Sequence, residues 1–136
     1  MNAYLEHANV TVPSIEEATR ILGTAFPDFR VRGGGEFRGR RWVHFGNETT
    51  YMALNEYPEG EARKPNYTHF GVNHIGFVVD QLDELDQRMK AEGYELIPDF
   101  QEEGEFRRRH YYFDGNGMEW EFIEYSTDDV SKRNNY

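Results

Sequence analysis

The chain is written twice. HANVTVPSIEEA, starting at His7, is matched by HIGFVVDQLDEL, starting at His74, an offset of 67 (74 − 7). EFRGRRWVHF from Glu36 is matched by EFRRRHYYFD from Glu105, an offset of 69 (105 − 36), and ALNEY from Ala53 by EFIEY from Glu121, an offset of 68 (121 − 53). Three segments in the same order at nearly constant spacing mark a duplicated supersecondary unit, which limits the fold to two copies of one motif.

Each copy reads as strand, helix, then three strands. Leu5 to Val12 alternates, with Ala8, Val10 and Val12 on one face and His7, Asn9 and Thr11 on the other. Ser14 with Glu17 forms a capping box ahead of a helix whose stripe is Ala18, Ile21, Leu22 and Ala25. In the second copy Asn73 to Val79 is the strand, Asp80 the expected cap, Leu82, Leu85 and Met89 the stripe, and Gly93 the stop. Turns are expected at Gly33–Gly35, Gly46–Asn47, Gly104 and Gly115–Gly117. The predicted fold is α+β: two tandem β-α-β-β-β modules forming a cup-shaped sheet with helices on the outer face. Module 1 covers about 3–57, a Pro/Gly-rich linker 58–71, module 2 about 72–125, and a polar tail without periodicity 126–136.

Composition excludes several classes. A chain of 136 residues with 15% aromatic content buries a real core as one domain. The absence of cysteine removes disulfides, thiolate metal sites and cysteine nucleophiles, and fits a reducing cytosol, so a cytoplasmic location is expected. The N-terminus carries no signal-peptide pattern, and no apolar run reaches the length of a membrane span. A net charge of −10 opposes sequence-independent nucleic-acid binding.

The functional signal lies on the polar strand faces. In MEWEFIEY, Met118 to Tyr125, Glu119 and Glu121 point away from Trp120 and Phe122, so that face is either wet or lines a site. His7 and His74 hold equivalent repeat positions, and two imidazoles plus a carboxylate suit Fe(II), Mn(II), Ni(II) or Zn(II) with positions left open. Asn9 and Tyr51 are candidate substrate contacts. Among the arginines, Arg107 and Arg109 share a face and are the candidates for holding an anionic substrate, whereas Arg108 points the other way. The competing reading has these arginines neutralise nearby acids such as Glu36 and Glu102 to Glu105. His44, His69 and His110 match no motif and read as structural or surface residues.

At LEHANVTV, NHIGFVV and DGNGMEWEFIEY the chain resembles the vicinal oxygen chelate superfamily, which includes glyoxalases, extradiol dioxygenases, fosfomycin-resistance transferases and metal-free bleomycin-binding proteins. The resemblance extends over roughly Ala3 to Tyr125. The ending looks like the family's D-x-x-G-x-x-x-E, counted from Asp114 and Gly117 to Glu121, and implies a metal set of His7, His74 and Glu121. It leaves Glu119 as a displaced base or as an orienting neighbour. The second carboxylate of glyoxalases falls on Ala53, so the isomerase arrangement is broken. Two readings follow: a metal-dependent small-molecule enzyme of the glyoxalase/dioxygenase type binding substrate through vicinal oxygens, or a metal-free bleomycin-resistance-like protein that sequesters a small ligand. The resemblance also implies a homodimer, with modules closing within one chain or swapped between two.

Overall fold

The computed structural model describes residues 3–60, 67–68, 70–98 and 102–133. They form two compact units, 1–62 and 63–136. Unit 1 runs β1 (His7–Val12), α1 (Ile15–Ala25), β2 (Arg30–Phe37), β3 (Arg40–Gly46) and β4 (Tyr51–Glu56). Unit 2 runs β5 (His74–Val78), α2 (Leu82–Ala91), β6 (Glu102–Glu103), β7 (Arg107–Phe113), β8 (Glu119–Tyr125) and the single turn α3 (Val130–Arg133). The sheets are ordered β1-β4-β3-β2 and β5-β8-β7-β6. In each, the first strand runs parallel to the last and the other pairs are antiparallel.

Alternation divides every strand between two faces. In unit 1, Phe45, Met52 and Leu54 join the buried stripe of α1, Ile15, Ala18, Ile21, Leu22 and Ala25. In unit 2, Trp120, Phe122 and Tyr112 join Leu82, Leu85 and Met89 of α2. Each helix therefore covers one face of its own sheet. On the helix-free faces, register aligns His7 with Tyr51 and Asn9 with Ala53 in unit 1, and His74 with Glu119 and Gly76 with Glu121 in unit 2.

One polar device ties helix to sheet in both copies. Glu56, at the end of β4, accepts the N–H of Ile15 at 3.1 Å; Glu124, near the end of β8, accepts that of Leu82 at 3.1 Å. These N–H groups open their helices and have no intrahelical acceptor. Arg41 bridges Glu56 (3.6 Å) to Glu16 (2.7 Å) in the first turn of α1, and Arg108 bridges Glu124 (3.1 Å) to Asp83 (2.5 Å) in the first turn of α2. Hydrogen bonds from these arginines hold the Glu16 and Asp83 carboxyls below their ordinary range. The partners of Arg41 and Arg108 are thus acids at the helix starts and strand ends, where sequence proximity suggested Glu36 and Glu102 to Glu105.

Several expectations are corrected. The cap of α2 is Gln81, not Asp80, and its side chain makes no capping bond; Glu124 supplies the acceptor instead. Gly33–Gly35 is not a turn but the middle of β2. The chain reverses at Arg38–Gly39, where both residues have positive φ (53° and 74°), as a two-residue primed hairpin requires. Gly34 is needed in the strand because a Cβ there would lie 2.8 Å from the Trp42 carbonyl oxygen. The tail contains α3, capped where Asp129 Oδ1 accepts the Ser131 N–H. Ser14 caps α1 by accepting the Glu17 N–H, as expected. Gly93 (φ 82°) ends α2 as expected: its N–H meets the Lys90 carbonyl while that of Tyr94 meets the Met89 carbonyl, the Schellman pattern.

Glu56→Ala and Glu124→Ala should each cost about 1–2 kcal/mol in urea denaturation. Glu36→Ala, at an exposed position without an ion pair among the described residues, should stay within about 0.5 kcal/mol. Equal effects at all three positions would show that the glutamate caps contribute nothing.

Candidate functional site

The helix-free face of β8 holds Glu119 and Glu121 at 1% and 6% exposure. Carboxylates so far from water need partners, and three neighbours provide them. Tyr67 Oη donates to Glu119 Oε1 at 2.7 Å, and Tyr111 Oη donates to Glu121 Oε1 at 2.6 Å. His74 stands between the two acids, its Nδ1 3.4 Å from Glu119 Oε1 and its Nε2 3.1 Å from Glu121 Oε2. The Tyr67 oxygen is also 3.1 Å from His74 Nδ1, and Arg109 Nη1 lies 4.0 Å from Glu121 Oε1. Burial first, then the bond to Glu119, pushes the Tyr67 hydroxyl up to about 12; burial and Glu121 likewise raise that of Tyr111. Tyr67 reaches this position with φ at +58°, unfavourable for a side chain of its size.

Sequence sets this arrangement through register. Asp114 Oδ1 accepts the N–H groups of Asn116 (2.9 Å) and Met118 (2.8 Å), and its Oδ2 accepts Trp120 Nε1–H at 3.1 Å. Gly117 supplies the positive φ (80°) of the same turn. The turn fixes where β8 begins and so sends Trp120 to the core and Glu121 to the opposite face; a one-residue slip would exchange them. Burial outweighs these hydrogen bonds and raises the Asp114 carboxyl above its ordinary range. Gly76 makes the remaining room: a Cβ there would sit 2.9 Å from Glu121 Oε2.

The helix-free face of unit 1 is different chemistry on the same register. His7 stacks on Tyr51 (4.8 Å between ring centroids), Tyr51 lies 4.7 Å from His44, and His44 lies 5.0 Å from Trp42. Arg32, at the register shift in β2, lays its guanidinium 4.4 Å above Tyr51. His7 Nδ1 is 2.9 Å from Glu6, and Asn9 Oδ1 accepts from Asn55 Nδ2 at 2.7 Å. Ala53, buried, occupies the place that Glu121 holds in unit 2.

Of the sequence candidates, His74, Glu119, Glu121 and Arg109 come together in unit 2, and His7, Asn9 and Tyr51 lie along one face of unit 1. Arg107 is buried beside Tyr125 in register. His110, read as structural, is buried with Nδ1 2.8 Å from Asp86 on the helix side. His69 lies outside the described residues. Tyr67, Tyr111, Gly76 and His44 were missed. The repeat offset of 67 held the signal for Gly76, which it pairs with Asn9, but the offset of 69 read for the segment from Glu36 pairs His44 with Phe113 and not with Tyr111. Tyr67 has no such signal, because its segment is not repeated.

Among the described residues no three His, Cys, Asp or Glu side chains are gathered to hold a metal ion. Within unit 2 the imidazole stands between the two acids, with Nε2 toward Glu121 and Nδ1 toward Glu119. No helix among the described residues is long and apolar enough to cross a membrane.

A family model described as the Glyoxalase/Bleomycin resistance protein/Dioxygenase superfamily matches residues 4–122. No curated protein matches. Among solved structures, a glyoxylase/bleomycin resistance protein/dioxygenase domain from Frankia sp. EAN1pec is similar with a TM-score of 0.76 at 19% identity, covering 92% of this chain and 99% of that one. The fosfomycin resistance protein FosX from Listeria monocytogenes is similar with a TM-score of 0.73 at 21% identity, covering 98% and 99%. A mutant of that FosX, complexed with Mn(II) and 1S,2S-dihydroxypropylphosphonic acid, gives 0.72 at 19% identity, covering 98% and 99%. At these identities the likeness is one of fold.

The raised Asp114 carboxyl gives a signed pH dependence. A carboxyl whose folded value is raised stabilises the fold below its unfolded value, near 4, and loses that contribution as pH rises through the folded value. The stability of wild type relative to Asp114→Asn should therefore fall as pH rises from about 4 toward neutrality. Urea midpoints across that range check this; a difference that grows in favour of wild type would contradict it.

Proposed function

The chain belongs to the glyoxalase/bleomycin resistance protein/dioxygenase superfamily, and from that premise we propose that it is a metal-dependent enzyme acting on a small molecule through two neighbouring oxygens. The proposed ligands are His74 Nε2 and Glu121 Oε2; His7, at the same register position in the other repeat, is the third ligand that the family resemblance implies. The observation that carries the reading is the 3.1 Å edge between Nε2 and Oε2. The single proton of the Tyr67 hydroxyl goes to Glu119, so its oxygen accepts from His74 Nδ1–H. Nε2 faces Glu121 Oε2 directly, and a divalent cation at this edge would take a lone pair from each. Two donors about 2.1 Å from one metal and at right angles to each other stand about 3.0 Å apart, close to the spacing seen. The missing side chain of Gly76 lets Glu121 Oε2 occupy this place, since a Cβ there would lie 2.9 Å from it.

When bound, the divalent ion supplies Lewis-acid polarisation of the substrate oxygens and offsets the charge that develops on them. The protein's own part is positioning. Glu119 and Tyr67 fix the imidazole tautomer, and Tyr111 holds the far oxygen of Glu121 so that Oε2 faces His74. Glu119, 1% exposed and committed to Tyr67 and His74, serves as an orienting residue and not as the base. Arg109, beside Glu121, orients an anionic substrate group, with Arg107 next along its face. Ala53 offers no fourth donor, so a reaction of the dioxygenase or fosfomycin-transferase type fits better than glyoxalase isomerisation. A second reading, a metal-free ligand-binding protein, is favoured by the ring ladder of unit 1, Trp42–His44–Tyr51–His7, which offers aromatic surface without a carboxylate.

Elemental analysis after reconstitution with Mn(II), Fe(II), Ni(II) or Zn(II) and desalting should find about one equivalent of at least one metal in wild type, and none in His74→Ala or Glu121→Ala. Tyr67→Phe, Glu119→Gln and Gly76→Ala should each weaken metal binding by roughly 10–100-fold with the fold retained. A wild-type protein that holds none of the four metals would sink the enzyme reading and leave the ligand-binding one.

A further inference from the structure

Two adjoining cavities lie on the helix-free side of unit 1, and neither is explained by a metal seat. One, of about 250 Å³, lies over Ala53 and is walled by Trp42 and His44, with the Asn9–Asn55 amide pair beside it. The other, of about 360 Å³, is bounded by Arg38, Arg40 and Thr11. Phe37 and Asn55 line both, so the two form one groove.

The groove has a sorted chemistry. Its Ala53 end is aromatic, with Ala53 standing where the other repeat carries the longer Glu121. At its other end stand two cations. Arg38 and Arg40 have no carboxylate partner among the described residues; their guanidinium groups lie over the rings of Phe37 (5.2 Å) and Tyr57 (4.1 Å). Arg41 and Arg108, by contrast, are held by acids. Glu56, the acidic residue lining this end, is already engaged by the Ile15 N–H and by Arg41. Arg38 also occupies the first hairpin position at φ +53°, where Asn or Gly is the unstrained choice. A strained arginine retained at a groove mouth, beside a Phe37 that is 66% exposed, points to a ligand.

We propose that this groove binds an aromatic carboxylate or a similar flat organic anion, its ring over Ala53 between Trp42 and His44 and its anionic group on Arg38 and Arg40. The inference deepens the functional reading by naming a substrate class; it rests on the helix-free faces being the functional ones and needs no metal for binding. Guanidinium pairs bidentately with carboxylate, and ring surfaces recognise a flat unsaturated body.

The test is calorimetric titration of the full chain with 2-naphthoate, 2-naphthamide and methylphosphonate, with Mn(II) binding measured on the same samples. Wild type should bind one 2-naphthoate, with the amide and methylphosphonate at least roughly tenfold weaker. Arg40→Gln and Arg38→Gly should each weaken 2-naphthoate by roughly tenfold, and Ala53→Leu should abolish the binding. Arg38→Gly, which relieves the positive φ, should show an unchanged or higher Tm, so its lost affinity is not unfolding. No saturable 2-naphthoate binding, equal affinity for acid and amide, or full affinity in Ala53→Leu would each overturn the proposal. Mn(II) binding without 2-naphthoate binding removes this inference alone, whereas 2-naphthoate binding by a protein that holds none of Mn(II), Fe(II), Ni(II) and Zn(II) removes the metal reading alone.

Discussion

Two carboxylates on one strand face, almost wholly out of water, set the terms for unit 2. An unpartnered buried carboxylate is too costly to keep, so each position around β8 is spent on satisfying Glu119 and Glu121. Tyr67 and Tyr111 each give one a hydroxyl, His74 divides its two nitrogens between them, and Gly76 gives up its side chain. The single Tyr67 proton cannot serve both Glu119 and His74. Its commitment to the acid leaves the Tyr67 oxygen facing His74 Nδ1, while Nε2 faces Glu121 Oε2. That edge between an imidazole nitrogen and a carboxylate oxygen is the basis for proposing a cation there.

The two repeats share a scaffold and differ on their helix-free faces. Both use a glutamate near the end of the last strand to take the first helix N–H, and both brace it with an arginine that reaches an acid in the first helical turn. On the helix-free face the correspondence ends: Tyr51, Ala53 and His44 in unit 1 stand where Glu119, Glu121 and Tyr111 stand in unit 2. One copy gathers charge and hydroxyls; the other lays out rings and leaves a groove above an alanine. The two frames correspond, and a few register positions give their helix-free faces different chemistry.

Sequence carried the strand–helix–strand order, the stripes of α1 and α2, and the faces of β1, β5 and β8, because periodicity and capping are local signals; the choice of Glu121 over Glu119 came from the family resemblance and not from periodicity. It misplaced the hairpin at Gly33–Gly35, where glycine serves the close approach of β3 and an arginine takes the turn. It gave α2 the wrong cap, since the true acceptor, Glu124, is 42 residues from Leu82 along the chain. Tyr67 was invisible for a related reason. Its role depends on one hydroxyl reaching Glu119 across 52 residues of sequence, and nothing in a Pro/Gly-rich linker announces such a contact.

The central claim is that His74 binds a metal through Nε2 beside Glu121. Pulsed electron paramagnetic resonance on Mn(II)-loaded protein tests it most directly, with and without ¹⁵N-histidine labelling. The account predicts imidazole nitrogen modulation that changes with the label, diminishes in His74→Ala, and weakens in Tyr67→Phe as the tautomer is released. Mn(II) that shows no histidine nitrogen coupling, or a coupling untouched by His74→Ala, would contradict it.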